Sequence, residues 1–302
     1  MLVANNVYKT YDSGKKIALD NFSINVPEGS IYGLLGPNGA GKTTFIRIIN
    51  QITQQDSGDI FINNKKLNPN HIRQIGYMPE ERGLYKNMTI GDQILYFGEL
   101  KGMNKNEALK QAKYWFDVLE IEHWWKKKLS ELSKGMAQKI QFVVTVLHQP
   151  QLLILDEPFS GFDPVNANLI KDQILKLKEN GTTIILSTHR MESVEEMCDS
   201  VALIHQAKKI IDGSVFEVRE QFKKNIFGVT ISDVNDENWN SFQQDFKIDN
   251  VSIKNKLLSF ELNNNGNQNE LLKEIVKIGK IRSFDEKIPS MNEVFIAAVS
   301  GN

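Results

Sequence analysis

A glycine-rich segment near the start of the chain has the residue types that bind phosphate groups. It has the sequence GPNGAGKTT and places Gly36, Gly41, Lys42 and Thr43 in the order glycine, four residues, glycine, lysine, threonine. Glycines let backbone N–H groups surround phosphates, the lysine neutralises the β- and γ-phosphates, and the threonine hydroxyl binds Mg²⁺. Chance produces this pattern in roughly 1% of such chains. We therefore predict a phosphate-binding loop of a nucleoside triphosphatase, with these nucleotide-binding residues: Gly36, Pro37, Asn38, Gly39, Ala40, Gly41, Lys42, Thr43 and Thr44.

Two other segments end in polar residues that could act on a bound nucleotide. The apolar run LLILDEP ends with Asp156 and Glu157, and IILSTH ends with His189. We predict that Asp156 holds Mg²⁺, directly or through water, and that Glu157 orients and deprotonates the attacking water. His189 would hydrogen-bond the γ-phosphate or the water and hold Glu157 in register. In isolation, the acidic pair would indicate a solvated turn and the histidine a structural residue, so the phosphate loop favours the functional interpretation.

Three near-continuous apolar runs must position these residues. They are SIYGLLG, LLILDEP and TTIILSTH, and their composition is typical of central strands buried on both faces of a parallel sheet. Ligands bind such sheets beyond the carboxyl ends of the strands. The alternation of strand-like and helix-like segments up to about residue 220 predicts an α/β domain with a mainly parallel sheet, in which all three runs deliver their polar ends to one edge.

The pattern changes twice along the chain. Between residues 87 and 147 the apolar residues have helical spacing, which predicts a helical subdomain inserted into a domain of residues 1–220. Residues 221–302 are rich in Asn, Lys and Asp, with alternating segments such as LLSFELN and helical ones such as NQNELLKEIVKIG. We predict a small C-terminal α+β accessory domain there. Its role would be to regulate the first domain, to contribute to a dimer contact, or only to stabilise the protein.

Composition limits the classes of partner. The 302 residues carry a net charge of -1, so no excess of positive charge indicates nucleic acid as a partner. The single cysteine, Cys198, and the absence of an N-terminal apolar stretch predict a cytosolic protein, with Cys198 as a buried apolar residue. No run of 18 apolar residues is present, so we expect any membrane role to require a partner.

The order of the motifs resembles the ATP-binding subunit of ABC transporters over about residues 1–215. The most specific segment is LSKGMAQKIQ, which is similar to the family's LSGGQ signature; Ser133 and Gly135 match, whereas Lys134 and Met136 replace a glycine and a glutamine. The resemblance implies an ABC-type P-loop NTPase core in which Ser133 and Gly135 open a helix that faces the γ-phosphate of an ATP held by a second subunit. Lys134 would lie near that phosphate or point to solvent.

Two further residues take roles only through the resemblance. Tyr11 matches the aromatic residue that stacks on adenine, although by itself it would indicate a core tyrosine. Glu80, in the segment GYMPEE, occupies the position where the family usually has the glutamine of the Q-loop. A carboxylate is also a hard oxygen ligand, so Glu80 is a candidate Mg²⁺ ligand, and the alternative is a solvated turn residue.

The resemblance implies a function as the ATP-hydrolysing subunit of a transporter of the bacterial exporter type. Two copies, or this chain and a close relative, would form a head-to-tail dimer with ATP and Mg²⁺ between them. Hydrolysis would drive a separate membrane permease and place the protein at the inner face of the cell membrane. The alternative is a soluble ABC-type ATPase that acts on a non-membrane partner, but only one phosphate loop is present and no long coiled coil separates Lys42 from Ser133.

Overall fold

The computed structural model describes residues 1–81, 83–264 and 266–300. It divides into two compact units, of which the first comprises Met1–Val215 with the end of the chain from Ala297, and the second comprises Phe216–Ile296. The division falls at Val215 rather than at the predicted residue 220. Within the described residues, no helix is both long and apolar enough to cross a membrane.

The first unit alternates strands and helices along most of its length. Short 3₁₀ helices interrupt the chain at Pro69–Gln74, Glu122–Trp124 and Leu129–Glu131. Its strands and α-helices are β1 (Leu2–Tyr11), β2 (Lys16–Val26), β3 (Ile31–Leu35), α1 (Lys42–Ile49), β4 (Ser57–Ile62), β5 (Lys65–Lys66), β6 (Ile75–Met78), α2 (Ile90–Leu100), α3 (Lys105–Leu119), α4 (Lys134–Val146), β7 (Leu152–Asp156), α5 (Pro164–Glu179), β8 (Thr183–Ser187), α6 (Met191–Met197), β9 (Ser200–His205) and β10 (Lys208–Ser214). Helix α7 (Val215–Gln221) begins at the boundary between the units.

A six-stranded sheet of order β10-β9-β3-β8-β7-β6 carries the three predicted central strands. Neighbouring strands from β9 to β6 are parallel, and only β10 is antiparallel to its neighbour. Every residue of β3, β7 and β8 is buried, as the apolar runs predicted. Because these three strands are parallel, their carboxyl ends lie at one edge of the sheet, which confirms the expected arrangement.

The prediction of a single mainly parallel sheet was incomplete. The strands β2, β1, β4 and β5 form a separate antiparallel sheet, in which β1 pairs with both β2 and β4. Side chains from both sheets and from α1 share one hydrophobic core, with Phe22 of β2 packed edge-on against Phe45 of α1. This core fixes α1, and with it the phosphate loop, against the six-stranded sheet.

The helices α2, α3 and α4 fall in the segment predicted to be a helical subdomain. Each begins at a side chain that accepts a hydrogen bond from the first turn: Thr89 for α2, Asn104 for α3 and Ser133 for α4. At α3, Glu107 returns a bond to the backbone of Asn104, which completes a capping box. Helix α2 packs on both α3 and α4, so the three helices form one bundle.

The second unit is a small α+β structure with its own core. Its elements are β11 (Ile226–Ser232), α8 (Asp236–Asp245), β12 (Ile248–Lys254), β13 (Leu257–Asn263), α9 (Gln268–Ile278), β14 (Lys280–Glu286) and the first part of α10 (Met291–Ser300), up to Ile296. The strands form an antiparallel sheet of order β12-β13-β11-β14, whose core includes Phe227, Phe260 and Ile275. The predicted strands and helices are present, whereas α8 and β14 were missed.

Candidate nucleotide-binding site

One cleft of about 390 Å³ lies at the carboxyl edge of the parallel strands. It brings together residues from the phosphate loop, from the ends of β7 and β8, and from the hairpin between β1 and β2. Its lining comprises Tyr11, Lys16, Ala18, Asn38, Gly39, Gly41, Lys42, Thr43, Thr44, Glu80, Asp156, Glu157 and His189. Most of the residues predicted from the sequence therefore meet in one place.

The loop between β3 and α1 has a backbone that glycines alone accommodate. Gly36 and Gly41 have φ values of 146° and 124°, in a region that other residues rarely adopt. A Cβ atom would lie 2.3 Å from the carbonyl oxygen of Ile204 at Gly36 and 2.4 Å from that of Ala18 at Gly41. Gly36, Pro37 and Ala40 belong to the same loop but are not part of the cleft lining.

Lys42 begins α1 and points its ammonium group back into the loop. Its Nζ donates hydrogen bonds to the carbonyl oxygens of Gly36 at 2.6 Å and Pro37 at 3.2 Å. Burial lowers the pKa of Lys42, and the charges of Asp156 and Glu157 act in the opposite direction. A cation held in this way at the start of a helix, whose first N–H groups have no side-chain cap, suits an anion such as a phosphate.

The residues available for Mg²⁺ fit the way this ion binds with nucleotides. Asp156 is 4% exposed, and burial raises its pKa, with the charges of Glu157 and Glu80 raising it further. A cation beside these carboxylates would relieve that cost. Within the described residues, no three His, Cys, Asp or Glu side chains form a metal cluster by themselves. Mg²⁺ in such sites uses one or two carboxylates, with phosphates and waters for the rest, so Asp156 and the Thr43 hydroxyl are suitable protein ligands.

Glu80 lies in the same cleft and is exposed. Its charge reaches Asp156 and also contributes to raising the pKa of Tyr77 to about 12, where burial is the main cause. Glu80 is thus near enough to Asp156 for their charges to interact and is open to solvent, and contact between Glu80 and Mg²⁺ stays a prediction.

Asp156 gives a prediction about stability. The folded protein raises its pKa, so ionising this carboxylate near neutral pH destabilises the fold relative to the unfolded chain. We expect Asp156→Asn to raise Tm of the nucleotide-free protein at pH 7.5 by a few degrees, at about 2–4 °C per kcal/mol for a unit of this size. The gain should shrink as pH falls, because wild-type Asp156 then becomes protonated. Scanning calorimetry at both pH values measures this.

Asp163→Asn is the matched control. Asp163 caps α5 by accepting from the backbone N–H of Asn166, and its pKa is lowered mainly by that bond. Removing its charge should give no increase in Tm. An Asp156→Asn protein that melts at or below the wild-type temperature at pH 7.5 would contradict the assignment of Asp156 as a destabilised carboxylate.

Glu157 combines an unusual backbone conformation with a side chain that is held by hydrogen bonds. Its φ is 50°, in the left-handed region, which costs a residue other than glycine on the order of 1–2 kcal/mol. Its Oε1 accepts from the backbone N–H of His189 at 2.9 Å and lies 2.7 Å from Nδ1 of the His189 ring, while the Thr188 hydroxyl donates to Oε2 at 3.3 Å. His189 thus contacts Glu157 directly, in the arrangement proposed for holding it in register.

Tyr11 lies at the mouth of the cleft with two neighbours that the sequence did not identify. Lys16 and Ala18, at the start of β2, line the same surface because β1 and β2 form a hairpin that returns Lys16 opposite Tyr11. The Lys9 ammonium lies 5.6 Å from the centre of the Tyr11 ring. The short turn between Tyr11 and Lys16 predicts a hairpin, and this signal could have identified Lys16 as a neighbour of Tyr11 in the cleft.

Ser133 and Gly135 are not part of this cleft. They lie at the start of α4, where Ser133 is the N-cap and its Oγ accepts from the Met136 N–H at 3.3 Å. Ser133 is exposed, and a Cβ atom on Gly135 would only come into ordinary contact at 3.4 Å with the carbonyl oxygen of Gly161. Within a single chain, the start of α4 and the phosphate loop therefore do not line the same ligand site.

Comparison with known proteins gives matches over both parts of the chain. Residues 19–160 match the family described as ABC transporter, and residues 213–299 match the family described as ATP-binding protein DrrA1-3-like, C-terminal domain. The uncharacterized ABC transporter ATP-binding protein YhaQ of Bacillus subtilis is 40% identical over 300 residues, which cover 99% of this chain and 98% of the relative.

A second relative and a solved structure extend these matches. The linearmycin resistance ATP-binding protein LnrL of Bacillus subtilis is 33% identical over 240 residues, which cover 78% of this chain and 76% of the relative. A solved structure of an ATP-binding subunit of an ABC transporter is 29% identical, with a TM-score of 0.69 over 74% of this chain and 93% of that one.

Proposed function

The chain belongs to the ABC transporter ATP-binding proteins, and on that premise we propose that it hydrolyses ATP in the cleft around Lys42 to drive a separate membrane permease. The observation that carries the proposal is the convergence of the phosphate loop, Asp156, Glu157 and His189 at one edge of the sheet. The site therefore combines groups for binding phosphates with a candidate base for water.

Binding of ATP starts with the phosphates. Lys42 would exchange its bonds with the Gly36 and Pro37 carbonyls for bonds to the β- and γ-phosphates, with loop N–H groups around them. Thr43 and Asp156 would hold Mg²⁺, and Glu80 would lie near it. When bound, Mg²⁺ neutralises charge that develops on the phosphates. Tyr11 would stack on the adenine.

Hydrolysis then requires an activated water. Both carboxylate oxygens of Glu157 are held by hydrogen bonds, one from His189 and one from Thr188. This orientation suits a general base that accepts the proton of the attacking water as the γ-phosphate leaves. His189, which has a largely exposed side chain, would hold Glu157 on one side and reach the γ-phosphate on the other.

The second half of each site comes from another copy. The start of α4 offers N–H groups, and the exposed Ser133 lies outside the cleft of its own chain. A head-to-tail pair with two-fold symmetry would place Ser133 and Gly135 of one copy on the γ-phosphate held by the other. ATP would close the pair because it contacts both copies, and hydrolysis would release it.

Substitution of Ser133 tests this arrangement. Aspartate is as good an N-cap as serine, so Ser133→Asp should keep the fold and the ATP affinity of the single chain. Its carboxylate would repel the γ-phosphate of the opposite copy. We expect ATP turnover and ATP-dependent dimerisation to fall roughly 10- to 100-fold, measured by phosphate release and by light scattering after gel filtration.

The matched control is Ser133→Asn, which caps the helix equally well without a charge. Ser133→Asn should retain most of the ATP turnover and of the ATP-dependent dimerisation. If Ser133→Asp and Ser133→Asn dimerise and hydrolyse ATP equally, then no phosphate approaches Ser133 and the proposed shared site is wrong.

Transport would be outward, and the permease would determine what is carried. One relative is named for linearmycin resistance, and removal of an antibiotic from the cell would be one source of such resistance. Coupling to a permease would place the protein at the inner face of the cell membrane. The second unit would modulate the ATPase or the dimer, as a domain added to a complete catalytic unit.

A further inference from the structure

Helix α4 carries two buried glutamines that contact the loops of the cleft. Gln138 and Gln141 are each 2% exposed. Nε2 of Gln141 donates to the carbonyl oxygen of Pro79 at 2.8 Å, and Nε2 of Gln138 donates to that of Pro158 at a longer 3.4 Å. Pro79 precedes Glu80 and Pro158 follows Glu157, so one helix holds both loops that carry these carboxylates.

Packing does not explain Gln141. Its neighbours three and four residues away on the same face of α4 include the buried Ala137, Gln138 and Thr145, and an apolar side chain such as leucine or methionine would fill the position. Oε1 of Gln141 is buried and has no hydrogen-bond partner within the described residues. An unsatisfied buried acceptor destabilises a fold, so the position carries a cost that the bond to Pro79 must offset.

The hydrogen bond between Gln141 and Pro79 connects the loop that carries Glu80 to helix α4. Strand β6 ends at Met78 and Glu80 lies two residues beyond it, so the strand itself no longer fixes Glu80. A proline has no N–H group, which leaves the carbonyl of Pro79 as the group by which this backbone is held. The other end of the link is α4, whose first turn contains Ser133 and Gly135.

We propose that Gln141 is a positioning residue that ties the Glu80 loop to α4, so that contact of the start of α4 with the partner's ATP sets the position of Glu80 in its own cleft. The inference rests on the proposed function, because it requires the partner's ATP at Ser133. It connects the two sites of the dimer through a single hydrogen bond. Gln141 itself does not touch the nucleotide.

A double-mutant cycle between Gln141→Met and Glu80→Ala tests the proposal, because alanine removes the side chain whose position Gln141 would set. Methionine matches glutamine in length but cannot donate to Pro79. We expect Gln141→Met to lower kcat roughly tenfold and to leave the ATP affinity unchanged. If Gln141 acts through Glu80, adding Gln141→Met to Glu80→Ala should cause little further loss, because contacts in one pathway are not additive. Phosphate release and equilibrium binding of ATP give the two quantities.

Thr145→Val is the control for loss of a buried polar group on the same helix. Thr145 is 5% exposed and its hydroxyl donates at 2.7 Å to the carbonyl oxygen of Gln141, within α4. It should leave kcat near the wild-type value. Gln141→Asn keeps the amide but is one methylene too short for Pro79, so it should behave as Gln141→Met does and replaces it if the methionine variant does not fold.

The outcomes separate this proposal from the function on which it rests. Additive losses in the double variant, or a kcat for Gln141→Met equal to that of Thr145→Val, would overturn the positioning role. Failure of a Glu157→Gln protein to dimerise with ATP would instead overturn the shared site. A non-additive loss together with a normal ATP-dependent dimer supports both.

Discussion

Glu157→Gln is expected to lower the rate of ATP turnover roughly 10²- to 10⁴-fold, the range for loss of a general base. Glutamine has the same shape and its Oε1 can still accept from the His189 N–H, which now bonds to Glu157 at 2.9 Å. The fold and the binding of ATP should therefore persist while the water remains unactivated. The ATP-bound dimer should accumulate, because the step that opens it is blocked.

Phosphate release and gel filtration with light scattering in ATP and Mg²⁺ measure these two effects. Glu179→Gln, at the exposed end of α5, makes the same chemical change away from the cleft and should retain wild-type turnover. Full activity in Glu157→Gln would show that another group activates the water, and the assignment of Glu157 would have to be withdrawn.

Lys42→Met is expected to weaken the binding of ATP, which precedes hydrolysis. A hydrogen bond to a charged group contributes about 1.5–3 kcal/mol, so loss of the ammonium group should weaken ATP binding by roughly 10- to 100-fold and lower turnover with it. The nucleotide-free protein should fold normally, because burial lowers the pKa of Lys42 and the apolar side chain removes that unfavourable burial of charge.

Calorimetric titration with ATP measures the affinity, and a thermal shift provides a second readout. A saturating ligand stabilises the wild type by about 2.7 kcal/mol at 100 times Kd, and most of this stabilisation should be absent in Lys42→Met. The contrast with Glu157→Gln separates binding from chemistry. ATP affinity equal to that of the wild type in Lys42→Met would place the phosphates elsewhere.

The central strands and the residues at their ends could be predicted because the signals are local. Every residue of β3, β7 and β8 is buried, so each strand appears in the sequence as a continuous apolar run. Parallel pairing then places Asp156, Glu157 and His189 at one edge. The phosphate loop is equally local, because its glycines are required by contacts with the adjacent backbone.

Other features depend on contacts between distant segments. Strand β1 pairs with β4 although β2, β3 and α1 lie between them in the chain, and its own pattern does not say which sheet it joins. Helix α8 was missed because Phe242 is its one buried residue among those described, and β14 because charged residues interrupt its alternation. Both elements lack the periodic apolar pattern on which the prediction depended.

The details of the site also required the structure. No sequence pattern indicates the left-handed backbone of Glu157 or its bonds to His189 and Thr188. Gln138 and Gln141 did leave a signal, since two glutamines three residues apart share one face of a helix whose buried positions are mostly apolar. That face was interpreted only as part of a helical core.

Site-specific cross-linking tests the shared ATP site most directly. The one native cysteine, Cys198, is buried, and burial raises its thiol pKa to about 12, so it should not react near neutral pH. Asn38→Cys places a thiol in the cleft lining and Ser133→Cys places one at the start of α4. Both are made in the Glu157→Gln protein, and a short bifunctional maleimide is added with and without ATP.

The account predicts a cross-linked dimer when the Asn38→Cys and Ser133→Cys proteins are mixed in the presence of ATP. Far less should form without ATP or from either protein alone, because each cross-link must join the phosphate loop of one copy to α4 of the other. Absence of the mixed product with ATP present, while both proteins still bind ATP, would contradict the claim that two copies enclose each nucleotide.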